Sequence, residues 1–181
     1  MKITTKLLIF CFSAITILSA CKKDKVTTNT THPTNGNGAY SMAFAENNTK
    51  VSFNTCFVTQ SYVNNGAQLL ISGYNVTNNK ISDNSFEVDL TANIDSIKVG
   101  QVFLAASTFL QPNSMGLFFS PDTVNNYSTQ PSKPVGSVTI TEITATEVKG
   151  TFSGDLFSEL DFNGDNLLYT ISEGTFTAKR D

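Results

Sequence analysis

Val148-Lys149-Gly150-Thr151-Phe152-Ser153-Gly154-Asp155-Leu156 changes character at every step, with Val, Gly, Phe, Gly and Leu at even positions and Lys, Thr, Ser and Asp between them. A period of two puts one set on each face of a β-strand, so the even residues are expected in a core and the odd ones in water. Phe86, Val88 and Leu90 alternate with Glu87 and Asp89 in the same way, and Val51, Phe53 and Phe57 do so with Ser52 and Asn54. Further on, Leu167, Tyr169 and Ile171 hold odd positions whereas Gly174, Phe176 and Ala178 hold even ones. The phase changes between Ser172 and Gly174, which predicts a β-bulge there.

Working outward, the same period predicts strands over 41–46, 50–59, 67–76, 85–91, 101–105, 116–120, 136–143, 147–157 and 167–178. Turn sequences such as Asn64-Asn65-Gly66 and Asn78-Asn79 separate them. No stretch carries apolar residues at helical spacing over three turns. Pro112, Pro121, Pro131 and Pro134 fall between Gln111 and Gly136, and proline cannot donate to a central ladder. That region is expected to be mostly loop, with at most a short edge strand over Gly116-Leu117-Phe118-Phe119. The expected fold class is all-β: an antiparallel β-sandwich or barrel-like meander of about 8–10 strands. Most of the phenylalanines should fill its interior.

The first twenty residues read differently. Lys2 and Lys6 precede the apolar run Leu7 to Leu18, the arrangement of a signal peptide. Twelve helical residues rise about 18 Å, short of the roughly 30 Å hydrocarbon core that a spanning helix must cross. The run ends in Leu18-Ser19-Ala20-Cys21, which resembles a bacterial lipobox. That resemblance implies cleavage before Cys21 and acylation of its thiol, with the lipid bilayer as partner. Cleavage removes two lysines and no acid, leaving 10 basic and 15 acidic side chains, net −5. A nucleic-acid partner is therefore not expected, because phosphate binding needs clustered Lys and Arg. Lys22, Lys23 and Lys25 form the only basic cluster, beside the lipid, where it suits anionic headgroups.

From Lys22 to Ala39 the one large aliphatic residue is Val26, too little to bury a core. The expected organisation is thus a signal peptide over 1–20, the lipidated cysteine and a flexible tether over 21–39, and the all-β domain over 40–181. As a coil the tether spans about 23 Å. Lys22-Lys23-Asp24 lacks an aspartate directly after the cysteine, which favours the outer membrane. A resemblance supports this reading. The lipobox with its Lys-Lys-Asp tail, Gly136-Ser137-Val138-Thr139-Ile140-Thr141, and the hairpin Val148 to Gly154 with Ile171 to Phe176 together resemble an uncharacterised lipoprotein domain family of Bacteroidota. The resemblance implies an all-β domain closed by a C-terminal hairpin, and it implies no activity.

Few residues suggest chemistry. His32 is the only histidine and lies in the tether beside Pro33, so a triad or a zinc cluster has no rigid imidazole to use. Cys56 is left without a disulfide partner after Cys11 departs and Cys21 is acylated, and its strand setting predicts a buried, inert thiol. No catalytic residue and no enzyme activity are expected. Asp161, Asn163 and Asp165 alternate as in the opening of a calcium loop. Asn166 then stands where the loop's glycine belongs and Ser172 where its glutamate belongs, so a hairpin loop is the preferred reading, with calcium the one candidate cofactor. Asp95-Ser96-Ile97 and Asp122-Thr123-Val124 resemble an O-glycosylation sequon of Bacteroidota, with Ser96 and Thr123 as acceptors. Chance alone gives about one such tripeptide in a chain this rich in Ser and Thr. The chain contains no tryptophan for stacking on sugars, leaving Tyr40, Tyr62, Tyr74, Tyr127 and Tyr169 as substitutes. The function expected is that of a non-catalytic envelope lipoprotein acting in ligand binding, assembly or display. The alternatives are a glycan hydrolase using a carboxylate pair and a calcium-dependent adhesive module.

Overall fold

The computed structural model describes residues 39–63, 66–108 and 111–180; Cys21, the tether and His32 lie outside them. The described residues are all-β, as the alternation predicts. Eleven strands follow in chain order: β1 Ser41–Glu46, β2 Thr49–Phe53, β3 Thr55–Val63, β4 Gly66–Thr77, β5 Lys80–Leu90, β6 Val102–Ala105, β7 Ser114–Ser120, β8 Tyr127–Ser128, β9 Gly136–Ile143, β10 Glu147–Ser158 and β11 Leu167–Arg180. They form one sheet in the order β2-β1-β11-β3-β4-β5-β7-β6-β9-β10-β8. Because β10 also pairs with β11, and β8 with β7, the sheet closes on itself like a barrel.

Closure explains why the pairing is not purely antiparallel. β11 lies along β1 up to Thr177 and then pairs through Lys179 and Arg180 with Phe57 and Val58 of β3, in parallel. β6 meets β7 in parallel at Leu104 and Ala105. The remaining ladders are antiparallel. Two tight turns, at Asn47-Asn48 and Asn78-Asn79, have positive φ at both residues, the hairpin geometry whose twist matches the flanking strands.

The interior is aromatic. Phe44 sits 4.5 Å from Phe86, 5.7 Å from Phe119, 5.9 Å from Phe152 and 6.2 Å from Phe53, ring centre to ring centre. Each such pair adds about 0.5–1.5 kcal/mol beyond area burial. Leu69, Ile71, Val88, Leu90, Leu117, Val138 and Ile140 fill the space between. Rings this bulky fit only because glycines face them: a Cβ on Gly150 would meet the Phe176 ring and lie 2.7 Å from the Thr139 carbonyl oxygen. The expected bulge is present. Phe152 pairs with Gly174 but Gly154 with Ile171, and the extra residue, Glu173, adopts a φ of 53°.

Four expectations need correction. The segment 50–59 is two strands divided at Asn54, and Phe57 leaves the core face to pack on Tyr74 at 5.5 Å while Cys56 and Val58 turn inward. The cause is the Asn54 side chain, which replaces ladder bonds: Oδ1 accepts the Val76 N–H at 2.8 Å and Nδ2 donates to the Val76 carbonyl at 3.0 Å. Second, β7 is an interior strand, paired with β5 on one side and with β6 and β8 on the other. Pro112 and Pro121 flank it, and neither interrupts it. Third, Leu167 is exposed, because the β10–β11 register shifts between Leu156 and Phe157. Finally, Asp89 does not stand in water, for a reason that belongs to the site itself.

Candidate functional site

The sequence-derived candidates occupy separate places. Cys56 is buried, and burial pushes its thiol pKa up, which keeps it protonated and unreactive. Asp161 holds a turn together: its Oδ2 accepts the Asn166 N–H at 2.8 Å, and its carbonyl accepts the Gly164 N–H at 3.1 Å. Backbone N–H groups of the turn, that of Asn166 first, hold the Asp161 carboxyl below its ordinary pKa. Gly164 carries the positive φ, at 66°. Asp165 is an exposed partner of Lys133 at 3.7 Å, and Asn163 is exposed. No group of three or more His, Cys, Asp or Glu residues is arranged to hold a metal among the described residues.

Ser96 and Thr123 both lie exposed in loops. Ser96 Oγ donates to the Asn93 carbonyl at 2.7 Å, and Asp122, next to Thr123, accepts the Val124 and Asn125 N–H groups at 2.8 Å. Among the tyrosines, Tyr74 is buried and Tyr62 is exposed, while Tyr127 and Tyr169 meet edge to face at 4.8 Å. They form no exposed stacking platform.

Among the described residues, a further group of polar side chains comes together around Asp89, which alternation alone would place in water. Asp89 points to the outer face of β5, as alternation requires, yet that face is covered. The end of β6 and the segment after it, at Ala105, Ala106 and Thr108, and the segment after β8, at Thr129, Gln130 and Pro131, line a pocket with it and with Gln68, Thr91, Ser114 and Phe118. The pocket between them is partly open to solvent, and its inner space measures about 30 Å³, room for on the order of one or two water molecules. Thr129 and Gln130 are buried there, their side chains anchored by the Leu117 N–H and by Ser128 and Ser158 respectively.

Asp89 Oδ2 accepts Gln68 Nε2 at 3.1 Å, whereas Oδ1 is inaccessible to solvent and has no protein partner. Burial, with a smaller contribution from the Glu87 charge, raises the Asp89 pKa to about 6. No Lys, Arg or His lines the cavity, and Glu87 is turned away to accept Ser72 Oγ at 3.1 Å. The arrangement holds one carboxyl oxygen by a hydrogen bond and shields the other from water. It lacks the second carboxylate across a cleft that glycoside hydrolysis needs. No family model matches the chain, and neither curated proteins nor solved structures give a match.

Proposed function

We propose that the protein is an exported lipoprotein, held on the outer membrane by acyl chains on Cys21, whose barrel is a non-catalytic binding domain presented on a tether. The observation that carries the reading is Leu18-Ser19-Ala20-Cys21 at the end of an apolar run. It is supported by the composition of residues 22–40, rich in Lys, Thr, Asn and Gly with Val26 as the one large aliphatic, ahead of a first described strand that begins at Ser41. Two or three acyl chains, at roughly 0.8 kcal/mol per buried methylene, retain a protein on a bilayer where a single chain binds only reversibly.

In this reading the barrel binds its ligand from outside. Its interior is packed with Phe44, Phe86, Phe119 and Phe152, so a ligand meets the outer surface. The carboxylate with the strongest upward displacement, Asp89, shares its cavity with no second acid. The test is Cys21→Ala in cells fed labelled palmitate: the wild type takes up label and runs as the shorter mature form, whereas the variant stays unlabelled as precursor. Label on the variant would overturn the anchor assignment.

A further inference from the structure

Strand direction sorts the exposed apolar residues by the end of the barrel they occupy. β1 and β10 both run antiparallel to β11, and β7 runs as β10 does because each is antiparallel to β8. The Asn47-Asn48 turn and the loops 121–126 and 159–166 therefore share one end. The chain enters β1 at Ser41, opposite Thr177 near the far end of β11, and the six residues of β1 set that entry about 20 Å away. The three most exposed large hydrophobics among the described residues all lie in the two loops: Leu160 at 86 %, Val124 at 80 % and Phe162 at 77 %.

These loops are held in place. Asp122 and Asp161 accept N–H groups of their own turns, and the Glu159 N–H donates to the Asn126 carbonyl at 3.2 Å, joining one loop to the other. Their apolar side chains thus stand in water on formed backbone, which lowers the ordering cost of binding. Charge selects the partner. The two loops contain Asp122, Glu159, Asp161 and Asp165 and neither Lys nor Arg, and the one basic contact is Lys133 on Asp165 at 3.7 Å. We propose that loops 121–126 and 159–166 form a docking surface for a basic, amphipathic segment of a partner protein. Leu160, Phe162 and Val124 take its apolar side chains, and the acids of the loops select its lysines and arginines. The same acids repel an anionic bilayer surface and a second copy of this chain, which would bring identical charges. The assignment names the kind of partner for the binding domain proposed above and rests on that reading.

Photocrosslinking of the full chain in cells that make it tests the surface, with p-benzoylphenylalanine in place of Phe162 or, as a control on the wall of the barrel, of Leu104. Both positions, like Glu159 and Asp165, are exposed, so the fold is retained. Irradiation should join position 162, and not position 104, to a protein segment of net positive charge that also carries apolar residues. Glu159→Lys with Asp165→Lys should lower the yield of that adduct about tenfold or more. No adduct, or an adduct to lipid, to a second copy or to an acidic segment, would overturn the surface, as would a yield unmoved by the charge reversal. Membrane fractionation of the same cells keeps the anchor separate: protein in the soluble fraction would count against the lipid on Cys21, while the adduct would still judge the loops.

Discussion

The β10–β11 hairpin and the stretch from Val102 to Val135 are built from similar residues and obey different logic. From Val148 to Leu156 of the hairpin, side-chain environment follows phase: Val148, Phe152 and Leu156 are buried and Thr151 and Ser153 exposed. Between Val102 and Val135 the environment is set by what crosses over. Ser114, Ser128, Thr129 and Gln130 are buried polar residues, and the neighbouring Asp89 is covered by loops that are remote from it in sequence. Local alternation reports which face a residue takes, and a remote crossover decides whether that face is wet.

The largest expected effect lies in the hairpin. Phe152 is buried and stacks on Phe86 at 5.2 Å and Phe176 at 6.4 Å; Phe152→Ala should cost about 3–5 kcal/mol in urea unfolding. A loss near 1 kcal/mol would mean that neighbouring rings collapse into the gap and that the hairpin is no stiffer than the crossover region. Gly150→Ala should follow at about 1–3 kcal/mol, because the new methyl meets the Phe176 ring and a backbone oxygen of Thr139 that cannot swing aside.

These two positions also show why the hairpin was legible. Gly150 and Phe152 declare themselves by alternation, and the change of phase at Glu173 marks its bulge in the sequence. For β7 the four prolines between Gln111 and Gly136 predict mostly loop with at most a short edge strand, whereas Pro112 and Pro121 sit just outside its ends. Asn54 divides a strand through hydrogen bonds to Asn75 and Val76, a contact across 21 or 22 residues that no local pattern reports. Asp89 has the same difficulty: its phase is correct, but its cover comes from Ala105–Thr108 and Thr129–Pro131. The lipobox is the opposite case, since a linear motif in a linear context needs no fold to be read.

Asp89 gives a smaller and pH-dependent effect. Its folded-state pKa is raised from 3.8 to about 6, so the folded protein binds this proton more tightly than the unfolded chain does. The stabilisation is fully present below about pH 4, falls as pH rises to about 6, and is absent above. A rise of that size corresponds to ~3 kcal/mol in a sealed interior, and solvent screening of a half-buried carboxyl reduces it to about 1 kcal/mol. Asp89→Asn should therefore be about 1 kcal/mol more stable than wild type at pH 7.5 and lose that part of the pH slope. Equal stability at pH 7.5 would place Asp89 in water and erase the contrast between the two regions.

The smallest effect should come from the end of the hairpin, where the legible region departs from its own rule. Leu160, Phe162, Leu167 and Leu168 are all exposed within or beside the loop joining β10 to β11, Phe162 at 77 %. A side chain so exposed has almost no apolar contact to lose. Phe162→Ser should leave stability within about 0.5 kcal/mol of wild type, and the Asp161 turn should persist because its hydrogen bonds run to backbone N–H groups. A loss above 1 kcal/mol would mean that the ring folds back on the barrel, and the hairpin would then be as dependent on remote contacts as the crossover region. Unchanged stability would leave Leu160 and Phe162 as apolar surface that the fold does not use, on a loop whose acids Glu159, Asp161 and Asp165 set its charge.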